Sequence, residues 1–362
     1  MSERRLYTTQ VYPANEALPE HLQAWLKQHS AHSIYSTYEW FCSLSQFKKQ
    51  HQETAAINYY WFFIFDNAAP CIAVALEQDK TKLKIITNFY TPFCDIFFDA
   101  SVLNHSQAWS ELLNQLISNN DKWLSLEVSP LYPEQFNTLS DAAKDLPVAL
   151  FQYSYSVNYR SSFTDFASYW AGRSSKLQNT YQRRLKALTK QHFRLEVHST
   201  VCDKIKQIYW QIYQQSWKVK EPSEDFINWL IDWAADQHKL QLGILYINDV
   251  PAAFQLWLLE GKTASIYKLA QDKQFDAFSP GTVLTKQMIE QLSQHHGVRT
   301  IDFLLGNDDF KSLWMDCKTS VSGVEIINQR SLKGKVVALG YKLRDVIKQN
   351  TRISFHRGNI NK

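Results

Sequence analysis

Cysteine is scarce in this 362-residue chain, and its five cysteines are widely scattered without a C-x-x-C pair. That usage predicts neither a disulfide framework nor a zinc site. Long apolar runs are also missing, since the longest, Tyr59–Phe65 and Cys71–Leu76, are strand-sized and far too short to span a membrane. The first twenty residues hold two arginines but no apolar segment of the secretory-signal type, so we expect a cytoplasmic, reduced protein.

The signatures of several large enzyme classes are absent as well. The sequence has no G-x-S-x-G, H-E-x-x-H or P-loop pattern, which leaves hydrolase, zinc-enzyme and NTPase assignments without support. Five histidines show no nucleophile or metal-ligand spacing with cysteine or aspartate, and we expect no metal: His51, His105, His192, His295 and His296.

Apolar and aromatic residues, by contrast, are plentiful at 45% and 14%, enough for a large core, and the length favours two domains. Each half alternates two early helices, a meander, a helix and a further strand, which predicts an α/β fold with a mixed sheet. Asp66–Ala69 is expected to close an antiparallel hairpin. We predict domains at 1–155 and 156–330, followed by a basic helical tail at 331–362; without a Gly/Ser linker the halves should pack closely.

Charge is distributed unevenly along the chain. The net charge is +4, yet the residues before 330 hold 30 basic and 34 acidic side chains. The tail is a distinct basic appendage, which is either a solvated helix or a site for anionic membrane lipid, a phosphorylated carrier or RNA. We expect a protein peripheral to the inner membrane at most, and the absence of aromatic platforms among these charges does not favour nucleic acid. From Arg330 to the end there are nine basic residues against Asp345: Arg330, Lys333, Lys335, Lys342, Arg344, Lys348, Arg352, Arg357 and Lys362.

The stretch from Ala264 to Trp314 is the most informative part of the chain. It reads as a strand, a loop, a helix opened by Ser279-Pro280-Gly281-Thr282, a second strand and a charged turn. Serine suits a helix N-cap and proline the first helical position. The backbone N–H groups of Gly281, Thr282 and Val283 would then form a positive pole for a pyrophosphate, although a well-capped helix without a ligand explains the same pattern.

Several motifs in this stretch, taken in order, resemble one bacterial branch of the GNAT acyltransferase superfamily, the CelD-like branch, which is related to the Fem-type aminoacyl transferases. They are Tyr267-Lys268-Leu269-Ala270, Phe275-Asp276-Ala277-Phe278-Ser279-Pro280-Gly281-Thr282-Val283-Leu284, Ile301-Asp302-Phe303 and Gly306-Asn307-Asp308-Asp309-Phe310-Lys311 with Trp314. Two weaker matches lie in the first half, Thr37–Trp40 and Asn88–Phe93. The turn at Gly281 has one glycine where the commonest superfamily pattern has two or three.

The resemblance implies two tandem GNAT-like domains, of which the N-terminal one is degenerate. It implies that Ala264–Gln271 and Thr300–Leu304 are parallel strands that splay apart, and that acyl-CoA, with acetyl-CoA expected, inserts its pantetheine arm between them. The cofactor-binding residues would then be Lys268, Leu269, Ala270, Ser279, Gly281, Thr282 and Val283.

Three side chains are candidates for the chemistry of acyl transfer. Asp302 is a carboxylate on an otherwise apolar strand and is the best general-base candidate, the alternative being that it only accepts hydrogen bonds from backbone or Arg299. Lys311 resembles the lysine that Fem-type enzymes direct at the transferred carbonyl, the alternative being a surface lysine beside two aspartates. Tyr267 is the candidate acid for the departing thiolate, but it alternates to the face opposite Lys268 unless a bulge intervenes.

The acceptor side is predicted less directly. A basic helix at 174–191 is either a solvated face or the wall of an acceptor groove, and Trp217 is either a core side chain or a wall for a sugar. We expect acceptor contacts from Trp217, Gln255, Lys176 and Trp314. These residues together favour an N-acyltransferase acting on an amine of a small or carbohydrate-like acceptor in envelope or polysaccharide metabolism. The alternatives are an aminoacyl transferase that uses charged tRNA and a non-catalytic scaffold with the same fold.

Overall fold

The computed structural model describes residues 6–30, 33–50, 57–119 and 123–357. The chain divides into two compact units: unit 1 comprises 1–155 and 320–362, and unit 2 comprises 156–319. The predicted second domain extended to residue 330, but residues 320–330 belong to unit 1, because the strand that contains most of them pairs with a strand of that unit. His51 and Lys362 lie outside the described residues.

Strands and helices alternate through both units. The strands are β1 (Tyr7–Pro13), β2 (Ile57–Asp66), β3 (Ala69–Asp79), β4 (Lys82–Ile85), β5 (Phe97–Phe98), β6 (Ser125–Leu131), β7 (Val148–Ser162), β8 (Phe193–His198), β9 (Leu240–Ile247), β10 (Val250–Glu260), β11 (Thr263–Gln271), β12 (Thr300–Leu305) and β13 (Cys317–Asn328). The helices are α1 (Glu20–Gln28), α2 (Tyr38–Gln50), α3 (His105–Asn119), α4 (Pro133–Ala142), α5 (Phe166–Ala171), α6 (Ser175–Leu188), α7 (Asp203–Gln215), α8 (Glu224–Asp236), α9 (Pro280–His295), α10 (Asp309–Trp314) and α11 (Leu332–Arg357). Short 3-10 turns lie at Ile34–Ser36 and Lys273–Phe278.

The sheet of unit 2 has the strand order β8-β9-β10-β11-β12-β7. Four strands form an antiparallel meander, β12 then joins β11 in parallel, and β7 pairs with β12 in antiparallel orientation. The turn between β9 and β10 places Asn248 and Asp249 at positive φ, as a two-residue hairpin turn requires.

Unit 1 repeats this order of pairing as β1-β2-β3-β4-β6-β13. Here β4 and β6 are the parallel pair, and β13 pairs with β6 in antiparallel orientation. The predicted hairpin of β2 and β3 is confirmed, with Asn67 and Ala68 at positive φ in its turn. The mixed α/β fold class is therefore confirmed.

The helices of unit 2 follow their sequence signals. Ser174 and Ser223 cap α6 and α8 by accepting from the backbone N–H three residues on. Leu177, Tyr181 and Leu188 form the buried stripe of α6, and α9 buries Val283 and other apolar side chains in the same core. The core thereby fixes where the ends of β11 and β12 and the start of α9 lie.

The described residues contain neither a membrane-spanning helix nor a metal-binding cluster. No helix among them combines the length and apolarity needed to cross a bilayer. Within the same residues, no three histidine, cysteine, aspartate or glutamate side chains come together as a metal ion would require.

Candidate active site

The strands β11 and β12 separate almost as soon as they pair. Their parallel register holds only for Thr263 with Thr300, Ala264 with Ile301 and Ser265 with Asp302. Beyond that point β11 runs on to Gln271 and β12 to Leu305 without further pairing between them in the described chain. The edge of β11 that faces β12 therefore presents backbone N–H and C=O groups along a gap, where an extended ligand can add as a strand.

Asp302 lies at the point where the two strands part. Its Oδ1 accepts from Asn158 Nδ2 at 2.7 Å and from the backbone N–H of Leu304 at 2.7 Å. The second bond depends on a bulge, because the register with β7 breaks between Asp302 and Leu305 and Leu304 has a φ of 54°. Burial raises the pKa of the Asp302 carboxyl, and the two hydrogen bonds oppose that shift. Arg299 does not contact this carboxyl and instead donates to Ser293 and Val298.

Lys311 is held at the same end of β12. Asp308 caps α10, and the Lys311 ammonium reaches back to the carbonyl oxygen of Leu305 at 2.6 Å. Burial lowers the pKa of Lys311, whereas Asp308 and Asp302 oppose that change. Gly306 leaves room for this contact: its φ is 126°, and a Cβ there would stand 3.0 Å from the Lys311 ammonium. Lys311 is therefore an enclosed cation near the Asp302 carboxylate and not an ordinary surface lysine.

A bulge in β11 separates Tyr267 from its neighbours. Leu256 pairs with Lys268 and Trp257 with Ile266, so the register between β10 and β11 shifts by one residue at Tyr267. This irregularity is the feature that lets Tyr267 depart from strict alternation with Lys268. Leu269 and Ala270 continue the strand beyond the bulge, with their backbone on the strand that borders the gap.

Lys268, one of the predicted cofactor-binding residues, forms an ion pair with a buried carboxylate. Its ammonium lies 2.7 Å from Glu221 Oε2, and the Glu221 side chain is only 1% exposed. Such a buried carboxylate needs its cation, because an unpaired buried charge is costly.

The loop between α7 and α8 supplies a residue that the sequence patterns did not single out. Lys218 is half-buried, and its ammonium lies 5.6 Å from the centre of the Trp217 ring. Burial lowers the pKa of Lys218, and the charge of Lys268 lowers it further. The charge of Lys218 in turn lowers the pKa of Lys311. No carboxylate of the described chain lies within salt-bridge distance of it. Trp217 is 53% exposed and so is not a core side chain.

The turn before α9 differs from its predicted geometry. Ser279 adopts a left-handed conformation, with a φ of 46°, and its side chain does not cap the helix. The N–H of Gly281 donates instead to Gln271 Oε1 at 3.0 Å, and that of Thr282 to the carbonyl of Ser279 at 3.0 Å. A pyrophosphate at this turn would have to displace the Gln271 side chain.

The basic helix α6 lies beside this turn. The Arg184 guanidinium donates to the carbonyl oxygen of Ala277, and the helix packs against α9 and the 3-10 turn. Arg184 is thus fixed beside this turn, whereas the sequence left the helix as either a solvated face or the wall of an acceptor groove. Lys176 is exposed at the opposite end of α6, and the structure does not bring it to the gap.

Two of the residues predicted to contact the acceptor lie in the core. Gln255 is 1% exposed. Its side-chain amide donates to the Gly281 carbonyl and the Thr285 hydroxyl and accepts from Trp257, so it links β10 to the first turn of α9. Trp314 is completely buried, and its carbonyl oxygen accepts from Tyr169 and Arg173. Both residues support the site from within the core.

The turn before α9 leads to a testable prediction. Gln271→Ala should lower the Kd of acetyl-CoA about 2- to 10-fold, because Gly281 loses its internal acceptor, a bond of about 0.5–1.5 kcal/mol net. Isothermal titration calorimetry measures this, with Gln274→Ala, whose amide bonds only to Asp272 among its described contacts, as the control. Unchanged or weaker binding in Gln271→Ala would contradict the placement of the pyrophosphate.

Comparison with known proteins agrees with this geometry. Residues 175–312 match the family model described as an acetyltransferase (GNAT) domain. The match lies within unit 2 and includes the β11–β12 gap and Lys311. No curated protein sequence matches the chain.

Solved structures extend the likeness to both units. A crystal structure of FemX has a TM-score of 0.56 at 10% identity, covering 88% of this chain and 98% of its own. The C-terminal domain of a putative lysylphosphatidylglycerol synthetase from Agrobacterium fabrum has 0.52 at 11% identity, covering 89% and 93%. L-PGS from Bacillus licheniformis has 0.52 at 11%, covering 90% and 96%. At these identities the likeness concerns the fold, and the predicted resemblance to GNAT acyltransferases and Fem-type relatives is confirmed at that level.

Proposed function

We propose that this GNAT-fold acyltransferase moves an acyl group, with acetyl expected, from acyl-CoA to an amine of a small or carbohydrate-like acceptor in envelope or polysaccharide metabolism. The observation that carries the proposal is the gap between β11 and β12, with Asp302 and Lys311 both fixed at its edge by the bulge at 302–305. The GNAT family match over the same residues supports it.

The residues around the gap suit an acyl-CoA, which would supply the activated acyl group. The free edge of β11, including Leu269 and Ala270, offers backbone groups to an extended amide-containing arm. The start of α9 at Gly281–Val283 and the guanidinium of Arg184 provide the positive end for phosphates.

The chemistry assigned to the protein side chains is acid–base and electrostatic. Asp302 accepts the proton of the acceptor amine, for which its raised pKa makes it a stronger base than a solvated aspartate. The Lys311 ammonium stabilises the negative charge that develops on the carbonyl oxygen. Tyr267, at the bulge, donates a proton to the departing thiolate.

Lys218 suggests that the acceptor carries a negative charge. An enclosed ammonium near Lys268 and Lys311, without a carboxylate in contact, is stabilised when an anionic group of a ligand binds to it. The exposed ring of Trp217 beside it offers an apolar surface for a sugar.

This acceptor chemistry can be tested with a matched pair of amines. Glucosamine 6-phosphate should have a kcat/KM roughly 10- to 100-fold above that of glucosamine, and Lys218→Met should abolish the difference, since a hydrogen bond to a charged group contributes about 1.5–3 kcal/mol. Lys220→Met, an exposed lysine in the same loop, is the control and should keep the preference. Equal rates for both amines in the native protein would remove Lys218 from acceptor binding.

The function as a whole is tested by a thermal-shift series with CoA, acetyl-CoA and longer acyl-CoA esters. A ligand that binds the folded state at one hundred times its Kd adds about 2.7 kcal/mol to the free energy of unfolding, and it therefore raises Tm. We expect a rise with CoA esters. No response to any CoA, together with salt-sensitive RNA binding, would favour aminoacyl transfer from tRNA, and no response to either would favour a scaffold.

A further inference from the structure

Between Leu332 and Arg344, where the structure describes its side chains, helix α11 packs on the rest of unit 1 through one face. Val337, Ala338 and Tyr341 contact Phe151 and Ile327, and Ala338 is 1% exposed. The rings of Tyr341 and Phe151 lie 4.7 Å apart between centres. Because these three helix positions recur at three and four residues, they define the side of the helix that faces the protein.

The opposite side of this part of the helix is apolar, and no residue that the structure describes covers it. Four aliphatic residues, with 81%, 69%, 57% and 56% exposure, follow one another at intervals of four, three and four: Leu332, Val336, Leu339 and Leu343. At about 100° per residue they fall within an arc of roughly 60°, directly away from Ala338 and Tyr341. Scattered surface leucines need no explanation, but a continuous stripe of this kind marks a contact surface.

Cations border this stripe on both sides. Helical geometry puts Lys333 and Arg344 on one flank and Lys335 and Lys342 on the other, and all four are exposed. No acidic residue occurs between Gln329 and Arg344, so the whole face has a single sign of charge.

We propose that this face of α11 docks on an anionic phospholipid bilayer and holds the protein at a membrane surface. An aliphatic stripe between two rows of lysine and arginine matches the boundary between acyl chains and phosphate headgroups. A bilayer with negative lipids satisfies the apolar and the charged parts of the face together. A second copy of the helix is a poorer partner, because its own cationic rows would meet those of the first.

The experiment is flotation of the full chain with vesicles of phosphatidylcholine alone and of phosphatidylcholine mixed with phosphatidylglycerol. We expect binding on the order of tenfold or more tighter to the mixed vesicles, weakening as salt is added. Val336→Ser/Leu339→Ser/Leu343→Ser removes the stripe and keeps the charge, whereas Lys335→Gln/Lys342→Gln removes charge and keeps the stripe. Both should reduce binding severalfold, while Val250→Glu, at an exposed aliphatic position in unit 2, should not. Thermal melts followed by circular dichroism establish that each variant is folded.

Several results would overturn the proposal. Equal affinity for neutral vesicles, or full binding by the serine variant, would contradict docking through this face. Binding to RNA but to no vesicle would assign the lysines to nucleic acid. A dimer in sedimentation that the serine variant dissociates, without vesicle binding, would show that the stripe joins two copies. The CoA thermal-shift series is independent of these outcomes, because α11 contributes no residue to the candidate active site.

Discussion

Asp302→Asn lowers kcat for acyl transfer by about 10²- to 10⁴-fold, the range for loss of a general base, with little change in the Kd of acetyl-CoA. The substitution preserves shape, and an amide oxygen can still accept from Asn158 and from the Leu304 N–H. What it removes is the ability to take a proton from the acceptor amine. Kinetics at saturating acetyl-CoA, with calorimetry for binding, measure the two effects separately.

The pH dependence gives a second measurement of the same residue. Because the pKa of Asp302 is raised above its usual value of 3.8, the activity should fall, as pH decreases, at a higher pH than for a solvated aspartate. A group with a raised carboxyl pKa in the folded state costs stability above its unfolded pKa, so Asp302→Asn should unfold at an equal or higher temperature near neutral pH, and the difference should vanish in acid. Asp309→Asn, an exposed aspartate on α10, is the control. Full activity in Asp302→Asn would exclude a catalytic role.

Lys311→Met lowers kcat by about 10²- to 10³-fold, the range for loss of one donor to a developing oxyanion. Methionine keeps much of the length of the side chain but provides no charge for the carbonyl oxygen. Since burial lowers the pKa of Lys311, the native activity should also fall at high pH below the usual lysine range, as the ammonium loses its proton.

Lys318→Met is the matched control for this variant. Lys318 is an exposed lysine seven residues away, which donates to Asn307 Oδ1 at 2.9 Å and does not contact the strand end. It should keep native kcat and the native high-pH limb. An unchanged high-pH limb in Lys311→Met would mean that another group titrates there.

The parts of the fold encoded by local patterns were predictable from the sequence. The hairpin of β2 and β3 follows from two runs rich in β-branched and aromatic residues around a turn, whereas the parallel pair of β11 and β12 was implied by the resemblance to GNAT acyltransferases. The assignment of residues 320–330 to unit 1 was not predictable. Residues 320–330 continue the pattern of a strand, but nothing local indicates that they pair with β6.

The differences between the predicted and the observed site also arise from contacts that local patterns do not reveal. Ser279 has the sequence of an N-cap, yet the Gly281 amide is taken by Gln271, ten residues earlier, so a distant side chain replaces the local cap. Gln255 was a polar residue on an apolar strand, which fits a ligand contact and an internal tie equally well. Lys218 lies in no motif, and only its closeness to Lys268 and Lys311 in the fold makes it distinctive.

Hydrogen exchange of the backbone amides of β11 tests the central claim most directly, namely that the gap between β11 and β12 receives the acyl-CoA. Amides between 266 and 271 that face the gap lie beyond the three residue pairs that join β11 to β12, and they should exchange faster than those bonded to β10. Addition of acetyl-CoA should protect them, together with the amide of Gly281, and leave the strands of unit 1 unchanged. Binding of acetyl-CoA without protection at 266–271 would contradict the account.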